Sequence, residues 1–279
     1  MTWWQAIILG IVEGLTEFLP VSSTGHLILT AWLLGLSDDP VQWDATFAFN
    51  IVIQIGAIAA VLGLYRMRVL QMCKGIAGHD PVGKKLALNL ILAFVPAAVL
   101  GPLLDDKIET YLNGPWPVVG ALFIGGVAMV LLGKHLRKDH DKRFAIDDVT
   151  WKIALLVGIG QCFAMWPGTS RSMMTIITAI LLGMRVKDAA EFSFLLGLIT
   201  LSAATGYKLV KNGDELFAVV GIMPLALGTL FATISAALAI KWFVAFLNKR
   251  GLTPFGWYRI ALSVLVGALL LSGMLTVPA

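Results

Sequence analysis

The sequence predicts an all-α polytopic membrane protein made of two inverted-topology repeats, with about six transmembrane helices and two re-entrant helical hairpins. Three observations predict it. The 279-residue chain is 58% hydrophobic and only 14% charged, where an ordinary soluble domain carries about 25% charged residues, and several of its apolar runs approach the ~20 residues that cross a bilayer. Its Lys and Arg gather in alternate connections between those runs. Two short helical pairs, each folded round a polar turn, recur in the same order in the two halves of the chain.

Residues 3–18 read as a helix stopped at Pro20, and 24–35 as a second short helix opened by the cap signal Ser22-Ser23-Thr24 and closed near Gly35. Neither is long enough to cross alone. Together they read as a re-entrant hairpin, which a membrane tolerates only when it is buried in protein or faces a watery cavity. Crossings follow at 47–65, 86–104 (kinked at Pro96) and 118–133. A second hairpin pairs 153–166 with 173–184 round the turn Thr169-Ser170-Arg171-Ser172, and crossings at 189–206, 217–240 and 260–277 complete the chain.

The connections at 66–85, 134–152, 184–188 and 241–259 hold most of the basic residues and are expected in the cytoplasm. Three aspartates at 38–44, the loops 105–117 and 207–215 and both termini are then expected outside. The whole chain reads as one integral membrane domain with repeats at about 1–133 and 150–279. Its net charge of +4 follows from the topological bias and implies no nucleic acid. Cys73 and Cys162 form neither a disulfide framework nor a metal pattern. The N-terminus does not read as a cleavable signal, because it lacks a basic start and carries Glu13 and Glu17 within its apolar run.

In the repeat, Gly10-Ile11-Val12-Glu13 aligns with Gly158-Ile159-Gly160-Gln161. Pro20 to Gly25 aligns with Pro167 to Ser172, and Phe47-Ala48-Phe49 with Phe192-Ser193-Phe194. A hairpin plus an odd number of crossings inverts the second half, so the hairpins enter from opposite faces. The helices that start near Ser23 and Ser170 can then aim their N–H-rich ends at one point, an arrangement suited to an anion.

Glu13 and Glu17 lie one helical turn apart on a shared face. In low dielectric they need a shared proton, an arginine or a divalent cation; otherwise they are interfacial glutamates facing water. Arg171 can clamp a phosphate bidentately, or pair with Glu17, and the two uses are compatible. Thr175 follows one turn later. His26 can bond the hydroxyl of Ser22 or Ser23, a minimal nucleophile and base. His79, His135 and His140 lie in charged loops and read as solvated. No Walker-type lysine motif is present. Carboxylates, hydroxyls, an imidazole and a guanidinium in apolar surroundings suit a phosphate or diphosphate that carries a lipid tail.

E-G-L-T-E-F-L-P-V-S-S-T-G-H at 13–26 and P-G-T-S-R-S-M-M-T at 167–175 resemble the two signature motifs of the bacterial undecaprenyl-diphosphate phosphatases, also called bacitracin-resistance proteins. The resemblance extends to E-F-S-F-L-L at 191–196 and to Tyr258-Arg259. It implies a multi-pass enzyme of the bacterial plasma membrane, open toward its outer face, that removes the terminal phosphate of undecaprenyl diphosphate. The undecaprenyl phosphate produced is recycled into cell-wall synthesis, and bacitracin competes by sequestering the substrate. The resemblance also implies a divalent cation, Mg²⁺ or Ca²⁺, with Glu13 and Glu17 as its ligands or in acid–base work. Ser23 and His26 would serve catalysis. Ser170, Arg171, Ser172 and Thr175, with Ser22 and Thr24 beside them, would hold the diphosphate.

The reaction expected is attack by Ser23, assisted by His26 or Glu17, followed by release of phosphate by water. Direct attack by water or by His26 remains open. The expected partners are the prenyl diphosphate and membrane lipids, and a homo-oligomer is compatible with such a chain. A lipid-phosphate flippase or anion transporter on the same inverted repeat is the alternative; a non-catalytic scaffold would leave the polar cluster unexplained. In the repeat alignment Glu17 falls opposite Met165, His26 opposite Met173 and Arg171 opposite Thr24. The first hairpin is therefore expected to carry the catalysis and the second to grip the diphosphate.

Overall fold

A computed structural model describes residues 1–37, 40–112, 114–135 and 143–275. Among them are α1 (Trp3–Glu17), α2 (Ser23–Leu33), α3 (Pro40–Leu64), α4 (Arg66–Ile76), α5 (Pro81–Leu112), α6 (Pro115–His135), α7 (Trp151–Cys162), α8 (Arg171–Leu181), α9 (Val186–Val220), α10 (Ile222–Arg250) and α11 (Thr253–Leu271). Six of these contain apolar stretches long enough to cross a membrane: Ala45–Leu64, Pro81–Asp105, Pro115–Gly133, Val186–Tyr207, Ile222–Arg250 and Thr253–Leu271. The expectations for Asp38, Asp39, Arg137, Lys138, His140, Lys142 and residues 276–277 lie outside the described residues. So do those for the side chains of Asp44, Lys134, His135, Lys208 and Lys211.

Several expected loops are helical. The basic segment after 65 forms α4, α5 continues through Pro96 and Pro102 to Leu112, α9 runs through 207–215, and α10 absorbs 241–250. Polar residues mark where apolar sequence stops, but Lys, Glu, Leu and Arg are good helix formers and carry the helix onward. α9 and α10 end instead at Gly221 (φ 80°) and Gly251 (φ 70°), where positive φ favours glycine.

Small residues let the helices approach closely, as is common between membrane helices. Along α1, Gly10 lies against Gly228 and Gly14 against Ala232 and Ser235 of α10. These contacts run in the same chain direction, so α1 enters beside the start of α10 and stops near its middle. Gly158 of α7 lies against Ala93 of α5, while Asn89 Nδ2 donates to Val149 O (2.8 Å) and Lys85 Nζ to Asp147 O (2.9 Å) near the start of α5. The second hairpin thus enters beside the start of α5.

These two starts lie at opposite ends of the bundle. α3 and α10 run parallel, with Phe49 and Ile53 against Gly228 and Gly56 against Thr229, and the far end of α3 leads through α4 into α5. At that same end Arg68 pairs with Glu191 (2.8 Å) and Asp147 (3.0 Å), and Arg185 with Asp188 (2.8 Å).

Adding a side chain at the α1–α10 contact should loosen the first hairpin. Gly10→Val is expected to destabilise the protein by about 1–3 kcal/mol, read as a lower unfolding midpoint in detergent. Gly63→Ala, whose added carbon meets nothing within 4 Å, should not lower the midpoint and should raise it slightly, because alanine is the better helix former.

Candidate active site

The two hairpin turns meet inside the bundle. In the first, α1 ends at Glu17, and Val21 N donates to Leu19 O (2.8 Å) across Pro20. In the second, α7 tightens into a 3₁₀ turn at Phe163–Met165. Pro167-Gly168 then forms a turn closed by Thr169 N to Trp166 O (3.1 Å), with Gly168 at φ 92° as a type II turn requires.

Ser22 (φ 74°) and Ser170 (φ 77°) are the non-glycine residues with positive φ among those described. This is a costly conformation that tends to collect at functional sites. Each serine caps the helix that follows: Ser22 Oγ accepts from Gly25 N (3.5 Å) and Ser170 Oγ from Met173 N (3.3 Å). The caps correct the repeat alignment by one residue. Arg171 stands opposite Ser23, not Thr24, and His26 opposite Met174, not Met173, because the Pro-Gly turn needs one more residue between proline and cap.

Glu17 is the centre of the site. Ser23 Oγ donates to its Oε2 at 2.7 Å, and Arg171 Nη2 to its Oε1 at 3.0 Å. Arg171 Nη1 also donates to Ser193 O (3.0 Å), its guanidinium lies 5.3 Å from the Phe18 ring centre, and its Nε is buried without an acceptor. Gly197 makes room for it, since a Cβ there would overlap the guanidinium. Glu13 is fully buried, and neither of its carboxylate oxygens has a hydrogen-bond partner.

Ser172 Oγ donates to Leu19 O (2.8 Å) and lies 3.1 Å from Ser170 Oγ, a second tie between the turns. Thr24 is half-buried beside Ser23. Thr175 is fully buried; its hydroxyl meets Ser193 Oγ (2.6 Å) and the carbonyl of Arg171 (3.0 Å), joining α8 to α9.

The expected pairing of His26 with a serine hydroxyl is not formed. His26 Nδ1 lies 2.7 Å from Ser22 O, one turn back, and its Nε2 lies 2.6 Å from Tyr258 Oη. Ser23 therefore has Glu17 as its partner. Arg259, fully buried, donates to Pro20 O (3.4 Å), Ala121 O (3.0 Å) and Gly168 O (3.0 Å). One guanidinium thus grips both turns and α6. Tyr258 and Arg259 stood out in the sequence by resemblance alone, with no role. Ser193 and Gly197 were not singled out there, since one meets Arg171 through its carbonyl and the other makes room for it by an absent side chain.

The fold defines a multi-pass membrane protein with a polar site enclosed by two hairpins. Residues 6–265 match the family described as Bacitracin resistance protein BacA. An undecaprenyl-diphosphatase of Sorangium cellulosum is 47% identical over 268 residues, 95% of this chain and 86% of that one. Those of Nitrosomonas europaea and Rhodospirillum rubrum are each 42% identical, covering 97% and 98% of this chain and 95% and 96% of theirs. The chain belongs to the BacA bacitracin resistance protein family.

Arg259→Met would leave three buried carbonyls without their donor, and a lost partner costs about 1–3 kcal/mol for each buried polar group. A clear fall in the unfolding midpoint in detergent is expected. An unchanged midpoint would mean that the turns hold together without it.

Proposed function

We propose that this protein is an undecaprenyl-diphosphatase, hydrolysing undecaprenyl diphosphate to undecaprenyl phosphate and phosphate. The observation that carries the reading is Glu17, which holds the Ser23 hydroxyl on one carboxylate oxygen and Arg171 on the other. Nucleophile, base and anion clamp meet at one side chain. The names of the relatives supply the substrate.

The terminal phosphoryl group lies between the N-termini of α2 and α8, whose free N–H groups favour an anion. Arg171 turns from Glu17 to the phosphate oxygens, using donors such as the unpaired Nε. Glu17 takes the Ser23 proton as that oxygen attacks the terminal phosphorus. The bond to the bridging oxygen breaks and undecaprenyl phosphate departs. Glu17 passes that proton to the departing undecaprenyl phosphate; the freed carboxylate then takes a proton from a water, which attacks the phosphoserine, and the proton returns to the Ser23 oxygen as phosphate leaves.

Glu13 and Glu17 would hold the divalent cation. Two orphaned carboxylate oxygens on Glu13, one turn from Glu17, fit a hard cation. Among the described residues no group of three or more His, Cys, Asp or Glu assembles, and Mg²⁺ is usually held by one or two carboxylates plus substrate phosphates. When bound, such an ion neutralises charge on the diphosphate.

The hairpins are read as re-entrant and the halves as inverted repeats. α1 packs on α10 as α7 packs on α5, and α3 on α10 as α9 on α5, so each half's hairpin lies on the other half. The end that gathers Arg68, Lys85 and Arg185 is assigned to the cytoplasm. The first hairpin then opens the site toward the outer face, where bacitracin competes for the lipid diphosphate.

Purified protein in detergent, with Mg²⁺ or Ca²⁺, should release phosphate from undecaprenyl diphosphate, and EDTA should stop it. Ser23→Ala should lower kcat at least about 1,000-fold. Arg171→Lys should cost about 100-fold, because a point charge does not replace the fork. Detergent leaves no second compartment, so absence of phosphate release would sink the phosphatase reading in favour of a transporter.

A further inference from the structure

We infer that Tyr258 is a positioning residue for His26: its hydroxyl fixes the tautomer and orientation of the imidazole and makes His26 a partner of α11 rather than of Ser23. The inference rests on the phosphatase reading above for its kinetic consequence but not for its geometry.

His26 Nδ1 faces the Ser22 carbonyl oxygen at 2.7 Å. A carbonyl only accepts, so Nδ1 carries its hydrogen whatever the charge of the ring. In the neutral ring Nε2 is then a bare lone pair, and the group facing it at 2.6 Å is Tyr258 Oη, a donor. The two rings are nearly parallel, with 10° between their planes and 5.6 Å between centres. The contact with the phenol oxygen is a hydrogen bond at Nε2 itself, so the hydroxyl engages the nitrogen that the Ser22 tether leaves bare.

Tyr258 is itself held in place. Its neighbour Arg259 is fully buried and donates to carbonyls of both turns and of α6. Gly126 and Gly256 lock α6 against α11 one turn away. α11 cannot slide without breaking these contacts, so the level of the Tyr258 hydroxyl is set by the same anchor that holds the two turns.

The site thus contains two hydroxyls on two separate bases: Ser23 on Glu17, and Tyr258 on His26. Without Tyr258, the imidazole keeps its Ser22 tether but is free to rock about it, and Nε2 is no longer directed. The orientation of His26, which the family resemblance assigns to catalysis, therefore depends on Tyr258, whereas the Ser23–Glu17–Arg171 chain does not.

The test compares wild type, Tyr258→Phe, His26→Gln and the double variant, purified in detergent. Tyr258→Phe keeps the ring and is expected to lower kcat about 10-fold or more, with KM and the unfolding midpoint unchanged. In the His26→Gln background the same substitution should change nothing further, because residues that act as a unit are not additive. A Tyr258→Phe enzyme at wild-type kcat, a double variant whose losses multiply, or a kcat loss accompanied by a lower midpoint would each overturn the inference. Nitrogen-15 NMR of His26, assigned by comparison with His26→Gln, reads the geometry without any activity. An Nδ1–H tautomer whose Nε2 signal moves in Tyr258→Phe supports it, and an Nε2–H tautomer or an unmoved signal overturns it. Failure of wild type to release phosphate would count against the phosphatase reading alone.

Discussion

The ion pair between Glu17 and Arg171 is the contact on which the rest of the site depends. It joins the last residue of α1 to the first residue of α8, which come from hairpins entering at opposite ends of the bundle. Both side chains are mostly buried, at 6% and 11% exposure. Desolvating two such charges costs several kcal/mol each, and their attraction repays this only when geometry and extra hydrogen bonds are good. Here the extra bonds are the Ser23 hydroxyl on the carboxylate and the Ser193 carbonyl on the guanidinium. An anionic substrate can replace Glu17 at the arginine and leave the carboxylate free to act on Ser23.

Packing makes that contact reachable. The first hairpin lies deep against α10 only because Gly10 and Gly14 allow backbones to touch, and the second against α5 through Gly158. Gly197 and the Phe18 ring form a slot for the arginine. Arg259 then fixes the distance between the turns by holding a carbonyl of each. A cation buried against carbonyls rather than carboxylates leaves positive charge beside the two helix N-termini, which favours a phosphate there.

Much of this was legible in the sequence. The six long apolar helices, the two short helical pairs and the serine caps follow from apolar run length, Pro-containing turns and Ser-Ser-Thr chemistry. Glu17 and Arg171 stood out because charge is rare in such a chain, and Ser23 because it lies in the Ser-Ser-Thr turn. Helix ends were less legible, since hydropathy reports apolar sequence and not helix continuity: α5 and α9 pass well beyond their apolar stretches. The pairing of Arg171 with Glu17 was legible and is formed, but the partners of Ser23 and His26 were not. Ser23 and His26 are three residues apart, yet a hydroxyl at a helix start and an imidazole one turn later point to different neighbours. Which neighbours those are depends on α1 and α11, far away in the chain.

The most direct test is a stability cycle on Glu17→Gln, Arg171→Met and the double variant, followed by unfolding in detergent. If the two hairpins are joined through this buried pair, each single variant strands a charge or its partner and should lose about 3–5 kcal/mol. The double variant should then be more stable than the sum of the two losses allows. Two small losses that simply add would show that Glu17 and Arg171 do not meet, and that the site is not assembled across the two hairpins.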